Sequence, residues 1–122
     1  MIRLPLLLAA ATLAAPVLAA PTLISATPAA DAKVTAPSRI DLRFSERVMP
    51  RLSTATIAMT GMGGMAHAPM PVTGAKASVT PTGNGLGVTL ARPLAPGTYR
   101  VDWHVLSGKG DHATGSYAFT VD

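Results

Sequence analysis

The sequence predicts an all-β domain, an antiparallel sandwich or barrel of about seven short strands. Three observations carry this reading. Several short segments alternate apolar and polar residues, clusters of Gly, Pro and Asn separate them, and no stretch after residue 20 repeats apolar residues at helical spacing.

The chain opens with "MIRLPLLLAAATLAAPVLAA": one arginine, an apolar run, then small residues. This is the pattern of a secretory signal peptide over residues 1–19, cleaved between Ala19 and Ala20 or one residue later. A membrane anchor is the alternative, but the run is short and broken by Pro5 and Pro16. The mature chain, 20–122, is the length of one domain and is not membrane-anchored after cleavage.

The strands follow in order. "TLISAT" (22–27) is a weak one. In "RIDLRFSE" Ile40, Leu42 and Phe44 fall on one face and Arg39, Asp41, Arg43 and Ser45 on the other, which reads as a half-buried strand. "TATIAM" (54–59), "ASVT" (77–80) and "GVTLA" (87–91) are shorter candidates. "TYRVDWHVL" points Tyr99, Val101, Trp103 and Val105 inward and Arg100, Asp102 and His104 outward, so Trp103 reads as core and His104 as surface. "SYAFTV" repeats the pattern with Tyr117, Phe119 and Val121. Tyr99, just after "APG", is placed for a tyrosine corner or for simple burial in the core.

Composition narrows the function. Removing Arg3 with the leader leaves nine basic and six acidic residues, scattered rather than clustered, and aromatics are only 4% of the chain. No nucleic-acid partner is expected from that pattern. The chain has no cysteine, so disulfides, thiolate ligands and blue-copper chemistry are all excluded. Soft-metal binding would have to use thioether sulfur.

The segment "MTGMGGMAHAPM", residues 59–70, holds four of the six methionines. Met59, Met62 and Met65 would share one face of a helix. Gly61, Gly63, Gly64 and Pro69 oppose a helix, each glycine costing about 1 kcal/mol and interior proline about 3 kcal/mol. With Thr60 as its one β-branched residue, the segment also reads as a poor strand, and a flexible loop is expected. Thioether sulfur is a soft, neutral ligand suited to Cu(I), and it needs no deprotonation. His67 adds an imidazole. The competing reading is an apolar Met loop that binds a protein partner without metal.

These residues resemble the CopC/PcoC family of small copper-binding proteins of the bacterial periplasm. Met59, Met62, Met65, His67 and Met70 match that family's Met-x-x-Met-x-x-Met-x-His-x-x-Met loop. "APTLISATPA", "IDLRFSERV", "LAPGTYRVDWHVLS" and "GSYAFTV" resemble its framework in the same order. The resemblance implies a Greek-key, cupredoxin-like sandwich or barrel and a Cu(I) site at those five residues. It implies a role in copper resistance, homeostasis or delivery, with an inner-membrane copper transporter or another periplasmic copper protein as partner. It also implies a Cu(II) site built on an N-terminal histidine, an acidic residue and an Asp-x-His pair. Here the mature chain starts Ala20-Pro21, and the Asp-x-His positions align with Lys109 and Asp111, His112 falling one place off. Glu46, Asp111, His112 and the terminal amine are left as a weak Cu(II) set, or Asp111 and His112 are simply a polar turn. Histidine-brace copper oxygenases need an N-terminal histidine. Ser107 near Asp111 and His112 is not a convincing catalytic set, so no enzyme is expected.

Overall fold

Alternation becomes strand pairing over residues 20–122, the part of the chain that the computed structural model describes; the signal peptide expected over 1–19 lies outside the described residues. Nine strands occur: β1 (Leu23–Thr27), β2 (Lys33–Val34), β3 (Arg39–Phe44), β4 (Thr54–Met62), β5 (Met65–Pro71), β6 (Ala75–Val79), β7 (Gly85–Leu90), β8 (Gly97–Leu106) and β9 (His112–Val121). They form a four-stranded sheet, β1-β3-β7-β6, and a five-stranded sheet, β2-β9-β8-β4-β5. The fold is therefore a sandwich rather than a closed barrel. All pairings are antiparallel except β2 with β9.

The core lies between the sheets. Ile40, Leu42 and Phe44 of β3 are buried against Leu86 and Val88 of β7 on one side, and Val101, Val105 and Phe119 close it from the other. Each set recurs every second residue, which is why one face of each strand is apolar. Trp103 packs partly buried against this cluster, edge-on to Phe44 at 6.0 Å between ring centroids. Gly115, paired with Trp103 across β8 and β9, leaves room for the indole: a Cβ there would collide with the ring.

The Tyr99 hydroxyl donates to the Ala95 carbonyl at 2.6 Å, forming the tyrosine corner, and the ring is buried as well. Burial pushes the Tyr99 phenol above its ordinary value and pushes Tyr117 up to about 12.

The seven expected strands are all present, with boundaries shifted by a few residues. Two others lie outside that expectation. β2 is two residues long, too short for a period to show. β5 falls inside the methionine segment.

Candidate metal centre

The methionine segment is a β-hairpin, which corrects the expected flexible loop. β4 runs through Met62, β5 begins at Met65, and only Gly63 and Gly64 lie between them. Their φ angles are +60° and +81°. A two-residue hairpin turn with both φ values positive matches the right-handed twist of the flanking strands, and glycine enters it without steric cost. The glycines that argue against a helix thus make the turn. Pro69 and Pro71 lie on β5, an edge strand of its sheet, where a missing N–H is tolerated.

Pairing brings the methionines together two by two. Met59 faces Met70 and Met62 faces Met65 across the β4–β5 ladder. In an unbroken strand Met59 and Met62, three apart, would point to opposite faces. The ladder with β8 prevents this: Met59 pairs with Tyr99 and Gly61 with Thr98, so β4 advances two residues while β8 advances one. Thr60 is the extra residue of a β-bulge, and the alternation slips by one there. Both methionine pairs are thereby directed to one face of the hairpin. The pairing of β4 with β8 ends at Gly61, so the tip carrying Met62 and Met65 overhangs the sheet.

Exposure divides the set. Met62, Met65 and Met70 are 56%, 74% and 58% exposed, whereas Met59 is partly buried against the core. Met59 and Met70 line one groove of about 440 Å³ with Tyr99, Leu94 and Val72. Gly97 borders Met59: a Cβ there would lie 2.9 Å from the Met59 terminal methyl and 2.8 Å from the Gly61 carbonyl oxygen.

His67 lies where β5 departs from regular pairing, since Thr60 alone stands opposite His67, Ala68 and Pro69. Its Nδ1 is 2.8 Å from the Ala68 carbonyl oxygen. A carbonyl can only accept, so Nδ1 is the donor of this bond, and in the neutral ring the lone pair is then on Nε2. That Nε2 is buried and has no hydrogen-bond partner. An unpartnered imidazole nitrogen on the same hairpin as four thioethers is a donor type that, with them, suits a soft monovalent metal ion. The hairpin itself carries no charge, since between Arg51 and Lys76 there is no Asp, Glu, Lys or Arg, and the one charged residue lining the Met59–Met70 groove is Arg92. The donors are all neutral, with no carboxylate to favour a harder cation.

The other expected set is not brought together. Glu46 lines a basic cleft with Arg43, Arg47 and Lys109. Asp111 lies in the turn before β9, where the buried Ser107 Oγ accepts from the Lys109 and Asp111 backbone N–H groups at 3.1 and 3.2 Å. Ser107 is thus the organiser of a polar turn. His112 instead meets His104. Among the described residues, no group of three or more His, Asp or Glu side chains is arranged to hold a metal ion.

A family model described as the CopC domain matches residues 23–122. The chain belongs to the CopC family. It is 44% identical over 98 residues to copper resistance protein C of Escherichia coli, covering 80% of this chain and 77% of that one. Among solved structures it is similar to PcoC, a methionine-rich copper resistance protein from Escherichia coli. The TM-score is 0.78 at 42% identity, over 85% of this chain and 100% of that one. It is also similar to CopC from Methylosinus trichosporium OB3b, with a TM-score of 0.66 at 31% identity, over 84% and 93% of the two chains. The family is one of copper resistance proteins, not of enzymes.

In this CopC domain the hairpin turn is separable from the donors. A Cβ on Gly63 or Gly64 would meet nothing within 4 Å, so alanine there acts only through backbone conformation. Each left-handed alanine costs about 1–2 kcal/mol. Gly63→Ala with Gly64→Ala is expected to fray the tip and weaken Cu(I) binding severalfold with every sulfur retained. Gly63→Asn, which tolerates positive φ, is expected to bind as the unaltered protein does. Cu(I) competition titrations of the variants check both outcomes.

Proposed function

We propose that this protein is a periplasmic Cu(I) carrier whose ligands are drawn from Met59, Met62, Met65, His67 and Met70. The carrying observation is the paired register of four methionines on a charge-free hairpin, beside a histidine whose Nε2 lacks a partner. Residues 1–19 act as its export signal and 20–122 as the mature copper-binding domain. The role is copper resistance, homeostasis or delivery. Copper here is cargo. Three exposed thioethers can be replaced one at a time by an incoming ligand set, so Cu(I) passes to a partner without full release. That partner is an inner-membrane copper transporter or another periplasmic copper protein.

A Cu(II) site of the kind the family resemblance implies is weakened in this reading. The mature N-terminus offers Ala20-Pro21 in place of histidine, and among the described residues no three His, Asp or Glu side chains are grouped to hold a metal ion.

The test is an anaerobic titration of the mature protein with Cu(I) against a competing chelator, followed by X-ray absorption at the copper edge. Tight binding with sulfur-dominated scattering is the expected result. No binding, or copper surrounded by nitrogen and oxygen alone, would overturn the reading.

A further inference from the structure

The outer face of the five-stranded sheet carries the other two histidines of the chain. His104 pairs with Thr114 and His112 with Leu106, which makes the two histidines diagonal neighbours across β8 and β9. Such diagonal positions are within reach of aromatic side chains. The rings lie nearly coplanar and nitrogen toward nitrogen, with 5.2 Å between centroids and 15° between planes, and His104 Nε2 lies 3.1 Å from His112 Nδ1. Both residues are exposed. The strand neighbours of His104 are Thr54 and Thr114, neutral on either side.

We propose that His104 Nε2 and His112 Nδ1 form a second metal site, taking a borderline divalent first-row cation such as Zn(II) or Cu(II). Imidazole is a donor suited to these ions. Two nitrogens 3.1 Å apart, each about 2.0–2.1 Å from one metal, subtend about 95–102° at it. That angle lies between the square and tetrahedral values, so the strands can keep their register while each exposed ring turns about its side-chain bonds to aim its lone pair at the ion. In the metal-free protein one of the two nitrogens donates its hydrogen to the other. On metal binding the donating ring takes its other tautomer, its hydrogen passing to its distal ring nitrogen, so that both facing nitrogens offer lone pairs, and water fills the open coordination positions. The site is independent of the Cu(I) reading. It shares no residue with the hairpin, and its donors are neutral imidazoles rather than thioethers. It differs from the Glu46–Asp111–His112 set in using His104 and neither carboxylate.

The experiment is a Zn(II) titration of the mature protein followed by the histidine ring nitrogen resonances. One equivalent is expected to move His104 Nε2 and His112 Nδ1 together, on one binding curve, while His67 stays in place. Losing either imidazole leaves a single donor without the chelate's high effective concentration. His104→Gln and His112→Gln are therefore each expected to weaken binding about tenfold or more. Glu46→Gln and Asp111→Asn are expected to leave it unchanged. With Cu(II), electron paramagnetic resonance is expected to show coupling to two equivalent imidazole nitrogens, reduced to one in either histidine variant. The proposal is overturned if Zn(II) moves only one of the two rings. It is equally overturned if His104→Gln binds as tightly as the unaltered protein, or if the carboxylate variants lose binding while His104→Gln keeps it. The histidine pair would then be a surface hydrogen bond only. Cu(I) titration of the same variants separates this outcome from a failure of the hairpin site, since His104→Gln should retain Cu(I) either way.

Discussion

Changing Met59, Met62, Met65 and Met70 together to leucine is expected to lower Cu(I) affinity by about a hundredfold or more, while the sandwich stays folded. Alterations outside a metal's ligand shell already cost about 10–100-fold, and this variant removes every sulfur from the hairpin. Leucine keeps nearly the volume and the apolar character of methionine, and such swaps cost under about 1.5 kcal/mol each. Met59 alone of the four packs against the core, so the stability cost is concentrated at one position. The remaining donor, His67, cannot hold Cu(I) by itself against a competing chelator. Competition titration reads the affinity and circular dichroism the fold. The variant also separates the two function classes. A metal-free docking surface would work nearly as well in leucine as in methionine, because burial of apolar area does not require sulfur. Retained Cu(I) affinity in the leucine variant would move the site away from the hairpin altogether.

Phe44→Ala is expected to give the largest loss of stability, about 3–5 kcal/mol. Phe44 is fully buried at the end of β3 and meets Trp103 of the opposite sheet edge-on. Truncation removes that contact and leaves a cavity between two sheets that the strand ladders hold in place, so collapse around it is limited. A domain of this size has about 5–15 kcal/mol in total. At about 4–8 °C per kcal/mol, the melting temperature should fall by about 15–30 °C. Cu(I) affinity measured well below the transition should be unchanged, because the hairpin donors lie on β4 and β5, whereas Phe44 lies on β3 and meets Trp103 of β8. Thermal denaturation followed by Trp103 fluorescence checks the first expectation and competition titration the second. A loss of only about 1 kcal/mol would mean that the sheets close over the vacancy.

The sequence by itself determined the class of fold and the core. Ile40, Leu42 and Phe44, then Val101 and Val105, then Phe119 and Val121, recur with period two, and a strand with one buried face requires that spacing. Cysteine's absence and the four crowded methionines are properties of composition, so the proposed thioether site needs no coordinates to be suggested. Tyr99 was legible as a corner or a core residue because Pro96-Gly97 precedes it and the bond it makes is local, and the structure has it as both.

Tertiary structure decided what depends on register. Residues 59–70 have weak strand propensity, and they become a hairpin because β4 is held by β8 and Gly63-Gly64 supplies the turn. Which methionines face each other depends on His67–Pro69 standing opposite Thr60 alone, and that Met59 and Met62 share a face follows from the bulge at Thr60. A bulge is set by the partner strand, and β8 begins some 35 residues later. The orphaned Nε2 of His67 and the meeting of His104 with His112 are likewise invisible to local pattern. The first depends on burial of a single atom, and the second on a diagonal across two paired strands. Period and composition are properties of neighbours in the chain. Which donors converge is fixed by strand pairing, where distance in space no longer follows distance along the sequence.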